Sequence, residues 1–195
     1  MIRIDPEWEI AELGNIATKI EYWIGKSAQE NWELRYVRIT DIDDSYRLTD
    51  SQKKYLPLTN ETKEYLLKKW DVLIARTWAT FWKCLYFDSD EPAAFAGYLI
   101  RIIFDPKLNS KFFSYFAQSE NYWNQANCLV TWGGQPQFNA NAIKQIKIPL
   151  PPFEIQQVIV DRIEEEQSLV DANRRLIEIY EGKIRERMDE VWGVK

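Results

Sequence analysis

The sequence contains no histidine. That absence removes Ser-His-Asp and Cys-His nucleophile systems, histidine general bases and most catalytic zinc sites at once. Cysteine is scarce as well. Cys84 and Cys128 stand far apart with no C-x-x-C spacing, so neither a metal knuckle nor a disulfide framework is indicated. Both read as buried thiols of a reducing compartment. No apolar run approaches the roughly 20 residues that span a bilayer, and the opening MIRIDPEWEI lacks signal-peptide character. A cytoplasmic protein is expected. Phosphate-cradling glycine loops of the G-x-x-x-x-G-K and G-x-G-x-x-G kinds are missing too, and no cofactor is expected.

What is present describes a folded chain. Apolar residues make up 46% and charged residues 28%, a balance of globular rather than disordered proteins. A length of 195 residues suits one domain with an appended element. The net charge of −5 is unevenly spread. Residues 153–195 hold 11 acids and 7 bases, whereas residues 1–152 are close to neutral with 19 acids and 18 bases. Within the latter, 92–152 has only Asp105 and Glu120 against Arg101, Lys107, Lys111, Lys144 and Lys147. Nucleic-acid binding responds to the local field more than to the total, so the acidic tail permits a DNA partner.

The clearest boundary is Pro149-Leu150-Pro151-Pro152, since three prolines in four residues fit neither a helix interior nor a central strand. It divides a domain at 1–150 from a tail at 151–195. In the tail, Ile155, Ile159, Ile163, Val170, Ile177, Tyr180, Ile184, Met188 and Val191 recur at spacings of three, four or seven. This is one helix of about 38 residues, roughly 57 Å long. A domain of 150 residues cannot cover such a stripe along its whole length, so it calls for a second helix in coiled-coil fashion. Ile159, Ile163, Val170, Ile177 and Ile184 are the expected seam. The other reading packs the helix on its own domain.

Residues 1–150 read as mixed α and β, with strands at Trp8 to Ile20, Leu34 to Ile42, Asp71 to Arg76, Lys83 to Phe87 and Ala94 to Phe104. Apolar residues fill both phases of the last, as in a strand buried on two faces. Ser110 is placed to cap a helix carrying Phe112, Phe113 and Phe116 and continuing past Ser119. A short strand follows at Ile146 to Ile148. The class is α+β, a mixed α/β domain followed by one long C-terminal helix.

No catalytic constellation emerges. Leu150-Pro151-Pro152-Phe153 lacks the asparagine of an adenine-methyltransferase motif. Asp171 with Glu181 and Lys183 forms a charged helix face more readily than a nuclease centre. An enzyme built on carboxylates alone survives without histidine, yet no acid pair is singled out. Two polar, aromatic-flanked segments do stand out. In Ala75-Arg76-Thr77-Trp78-Ala79-Thr80-Phe81-Trp82-Lys83, cations and hydroxyls on a turn can donate to phosphates and base edges; equally, the tryptophans can pack into the core. In Thr131 to Asn141, Gln135, Gln137 and Asn139 carry amides able to pair with adenine, and Gly133-Gly134 admits close backbone approach. Capping of a helix by Asn139 or Asn141 is the plainer reading.

The order of these pieces resembles a known family. Trp8-Glu9 precedes Leu13-Gly14-Asn15-Ile16; then come Tyr36-Val37-Arg38-Ile39-Thr40-Asp41-Ile42 and Asp71-Val72-Leu73-Ile74-Ala75-Arg76. Gly133-Gly134-Gln135 with Gln137-Phe138-Asn139 follows, then Ile148-Pro149-Leu150-Pro151-Pro152 with Gln156-Gln157 and Val160, and the tail ends Val191-Trp192-Gly193. Essentially the whole chain resembles the specificity subunit of type I restriction-modification systems. The resemblance implies a non-catalytic, sequence-specific subunit that directs methyltransferase and restriction subunits to a bipartite target on double-stranded DNA. Members usually carry two recognition domains with antiparallel helices between them. One domain and one helix therefore look like a half subunit, or a segment of a longer chain, and two copies would rebuild the arrangement as a homodimer. Arg38, Arg76, Lys83, Lys144 and Lys147 are the expected phosphate contacts; Thr77, Gln135, Gln137 and Asn139 are the expected base contacts. Relatives commonly place glycine where Trp78 and Trp82 stand, which makes this loop the bulkier. A coiled-coil interaction adaptor without DNA binding is the alternative.

Overall fold

In the computed structural model, which describes residues 7–23, 25–30, 32–77, 83–130 and 138–193, short strands give way to short helices and then to one long helix. The order is β1 (Glu9–Glu12), α1 (Leu13–Ile16), β2 (Ala17–Tyr22), β3 (Leu34–Val37), β4 (Tyr55–Leu56), α2 (Asn60–Lys63), β5 (Val72–Ala75), β6 (Cys84–Tyr86), β7 (Ala93–Phe95), β8 (Leu99–Phe104), α3 (Ser110–Phe116), α4 (Glu120–Leu129), α5 (Ala140–Gln145), β9 (Lys147–Leu150) and α6 (Phe153–Trp192). This is the expected mixed α and β fold with a long C-terminal helix.

Burial dictates the sheet order. β5 is apolar at every position and buried on both faces, as is nearly all of β8, and such strands belong inside a sheet. They are its two central strands: an antiparallel sheet runs β2-β8-β5-β6. A second sheet runs β4-β3-β7, with β3 and β7 parallel, and β1 pairs antiparallel with β9. Pro149 fits this last pair because a two-stranded ribbon consists of edge strands alone. Trp23 anchors the core between sheets, stacked on Tyr65 at 5.3 Å and edge-on to Tyr36 at 5.5 Å.

Several expected elements divide. Ala94 to Phe104 is two strands, because β7 joins one sheet and β8 the other. The chain turns between them at Gly97, where a Cβ would stand 3.0 Å from the Trp23 carbonyl oxygen and 3.1 Å from the Gly25 nitrogen. Trp8 to Ile20 likewise breaks at the single turn α1. Asn109, not Ser110, caps α3, its Oδ1 accepting from Lys111 N–H at 2.9 Å and Phe112 N–H at 3.2 Å. The helix then stops, because Ser119 Oγ donates to the Phe116 carbonyl at 2.7 Å and accepts from Tyr122 N–H as the cap of α4. Only one cysteine is buried: Cys84 is enclosed, with its thiol pushed up to about 12 by burial, while Cys128 is exposed.

The chain divides into two units, residues 1–156 and 157–195. At the end of the first, Gln156 has no exposed surface. Its Oε1 accepts from Asn109 N–H at 2.8 Å, and its Nε2 donates to the carbonyls of Lys107 at 2.9 Å and Pro151 at 2.8 Å. Along α6, a helix of 40 residues, Ile159 and Ile163 are half-buried. Val170, Ile177, Ile184, Met188 and Val191 are 44–60% exposed.

Candidate nucleic-acid interface

Where β5 ends, the two polar segments meet. Ala75 pairs with Leu99, Ile74 with Cys84 and Tyr22 with Ile100. Beyond that register Ala75 N–H donates to the Lys83 carbonyl at 2.9 Å and Arg76 N–H to the Tyr98 carbonyl at 3.0 Å. One end of the four-stranded sheet therefore carries Tyr22, Arg76, Thr77, Lys83 and Tyr98. The second segment reaches the same end, since Phe138 N–H donates to the Arg76 carbonyl at 3.1 Å. Phe138 is wholly buried, edge-on to Tyr122 at 6.3 Å, which holds this crossing in place. Asn139 follows and caps α5, its Oδ1 accepting from Ala142 N–H at 3.0 Å. The capping reading of Asn139 thus describes its oxygen, and its NH2 group is the part left for a partner. Gln135 and Gln137, with Trp78, Trp82, Gly133 and Gly134, lie outside the described residues.

The cations differ sharply in what already holds them. Arg101 is buried, paired with Glu21 and with Asp71 at 3.4 Å, and donates to the Leu66 carbonyl at 2.7 Å. It belongs to the core and adds nothing to the exposed basic charge of residues 92–152. Burial raises the Asp71 carboxyl above its ordinary value, against the Lys68 N–H and Arg101, which lower it. Arg35 is equally buried, between Asp50 at 2.8 Å and Glu91 at 3.2 Å. Arg38 is engaged by the turn after β3: Asp41 accepts from its guanidinium at 2.7 Å and 3.1 Å, and the Gln52 carbonyl at 2.6 Å. The hydrogen bond to Asp41 raises its pKa further. Lys83 Nζ donates to the Ile42 carbonyl, with Asp44 4.0 Å away.

Three cations are disposed otherwise. The Arg76 guanidinium lies 5.3 Å over the Tyr22 ring, and no carboxylate pairs with it among the described residues. Lys144 and Lys147 are exposed. Lys147 stands 3.9 Å from Glu12, an exposed pair that stabilises little. Its backbone is gripped by one side chain: Gln125 Nε2 donates to the Lys147 carbonyl at 2.8 Å, and Gln125 Oε1 accepts from Lys147 N–H at 2.7 Å. Lys144 is one short helix from Asn139, about 8 Å along the axis at 1.5 Å per residue. Two aromatic groups at the sheet end carry no signal in the sequence. Tyr22 closes β2, and Tyr98 is 63% exposed; only their partners across the sheet mark them out. Among the described residues no cluster of three metal-ligating side chains occurs, and no helix is long and apolar enough to cross a membrane.

Over residues 6–179 the chain matches the type I restriction modification DNA specificity domain. It belongs to that family. The specificity domain is 28% identical over 141 residues to the StySPI type I restriction enzyme specificity subunit of Salmonella potsdam, covering 68% of this chain and 30% of that one. With the MjaVIII specificity subunit of Methanocaldococcus jannaschii it shares 30% identity over 89 residues, 45% of this chain and 21% of the relative. Its fold matches the HsdS subunit from Thermoanaerobacter tengcongensis with a TM-score of 0.67 at 20% identity, over 97% of this chain and 49% of that one. A chain from a structure of type I R-M system assembly and conformational transition gives 0.68 at 18% identity, over 97% and 46%. The specificity domain thus spans under a third of these curated relatives and about half of the solved chains.

Proposed function

We propose that the specificity domain is a non-catalytic, sequence-specific DNA-recognition module of a type I restriction-modification system, working in the cytoplasm without a cofactor of its own. Residues 1–150 bind one half-site of double-stranded DNA. Arg76, Lys144 and Lys147 contact phosphates. Arg38 and Lys83, whose charges the fold already engages, add to the local field. Thr77, Gln135, Gln137 and the Asn139 NH2 group face base edges. Residues 151–195 pair with the helix of a second copy through Ile159, Ile163, Val170, Ile177 and Ile184. The resulting twofold axis imposes a bipartite, palindromic target to which methyltransferase and restriction subunits are brought.

The observation that carries this reading is the meeting of Arg76-Thr77 with Phe138-Asn139 at one end of the four-stranded sheet, in a chain of the DNA specificity family. Salt titration of duplex binding tests it. Removing one phosphate-binding cation flattens the slope of log K against log salt by about one. The Lys144→Ala/Lys147→Ala double variant is therefore expected to bind all duplexes more weakly, with a slope reduced by about two. An unchanged slope removes both lysines from the interface. Absence of salt-dependent binding by the wild type favours an adaptor without a DNA role.

A further inference from the structure

Tyr22 touches both polar segments through different atoms. Its ring face lies under the Arg76 guanidinium, 5.3 Å from centroid to Cζ. Its hydroxyl oxygen accepts from the Ala140 N–H, in the first turn of α5 directly after Asn139. A third link closes the ring of interactions, because the Arg76 carbonyl accepts from Phe138 N–H at 3.1 Å. Tyr22 itself is fixed by β2, paired with Ile100 on the central strand β8. Arginine at the end of a strand has several rotatable bonds, and ordering it at the moment of binding costs free energy. A ring held by a sheet removes part of that cost beforehand, since a guanidinium over an aromatic face is attracted by the ring quadrupole. Arg35, Arg38 and Arg101 are instead held by carboxylates, which cancel charge. A ring holds the side chain while leaving its charge for a phosphate.

We infer that Tyr22 is a positioning residue for DNA binding, its ring presenting Arg76 and its hydroxyl fixing the Asn139–Ala140 start of α5 against the same sheet end. This rests on the DNA reading proposed for the domain and adds a residue that makes no demand on the DNA itself. A double-mutant cycle tests it on the full chain, with a fluorescein-labelled duplex of random sequence as the probe. Tyr22→Ala is expected to weaken binding about two- to five-fold, the strength of one such ring interaction, and to lose most of that effect once Arg76 is alanine, the remainder belonging to the hydroxyl. Tyr22→Phe keeps the ring and restores the wild-type response to Arg76→Ala. The same variant lacks the hydroxyl, so the Ala140 amide is expected to lose hydrogen-exchange protection. Equal losses from Tyr22→Ala in both backgrounds mark a merely structural tyrosine and overturn the ring's role while DNA binding stands. Unchanged Ala140 protection in Tyr22→Phe overturns the hydroxyl's role. A wild-type chain that binds no duplex overturns the DNA reading, and the positioning role with it.

Discussion

Gln156 illustrates how a polar residue becomes part of a core. It is enclosed, and its carboxamide meets one N–H and two carbonyls from Asn109, Lys107 and Pro151. Asn109 in turn caps α3 with its own side chain, so one amide joins the turn before α3 to the first turn of α6. Truncating such a group strands its partners, and each buried unsatisfied group costs about 1–3 kcal/mol. Gln156→Leu, similar in size, is therefore expected to lower stability by at least about 3 kcal/mol, one for each of the stranded groups, read as a fall in the urea midpoint. The neighbouring Gln157, exposed and bonded to Asp161 at 2.7 Å, should tolerate alanine within about 0.5 kcal/mol. Equal effects at the two positions contradict the anchoring role. The pair Gln156-Gln157 is visible in the sequence as a family-like feature, but its division of labour is not. Nothing local tells which amide faces inward, because two of the three partners of Gln156 lie 47 and 49 residues away. Similar separations hide the fate of Lys83, engaged by a carbonyl 41 residues upstream, and of Arg101, enclosed by acids from elsewhere in the chain.

Elements are legible in proportion to how strongly one rule governs them. α6 follows from a sustained helical stripe without proline, β8 from apolar residues in both phases, and β5 from a short run rich in β-branched and apolar residues. Where two rules compete, boundaries move. Asn109 and Ser110 are both good caps, and the asparagine takes the position. Parallel pairing of β3 with β7 has no local signature, so the break at Gly97 is not legible either. The stripe on α6 makes the strongest demand at this scale. Val170, Ile177 and Ile184 are 44–57% exposed in a single chain, and apolar area left in water costs about 25 cal/mol per Å². Pairing with a second helix relieves that cost, and a charge placed in a paired seam is expected to undo it. Light scattering should give a wild-type dimer and a monomeric Ile177→Glu. A wild type already monomeric at micromolar concentration contradicts the seam.

At the scale of the whole molecule, the proposed labour is divided between a domain that reads bases and a helix that sets their separation. Net charge misleads here, since the −5 total conceals exposed Lys144 and Lys147 and a ring-held Arg76, while Arg35 and Arg101 are paired with acids inside the fold. The family match runs over residues 6–179, and the proposed contact surface within it is the sheet end where the two polar segments meet. The most direct test is selection of bound duplexes from a random pool in the presence of a type I methyltransferase subunit, the proposed partner. Enrichment of two inverted half-sites at a fixed spacing is the predicted result. A recovered pool with no sequence enriched over the input contradicts a base-reading domain.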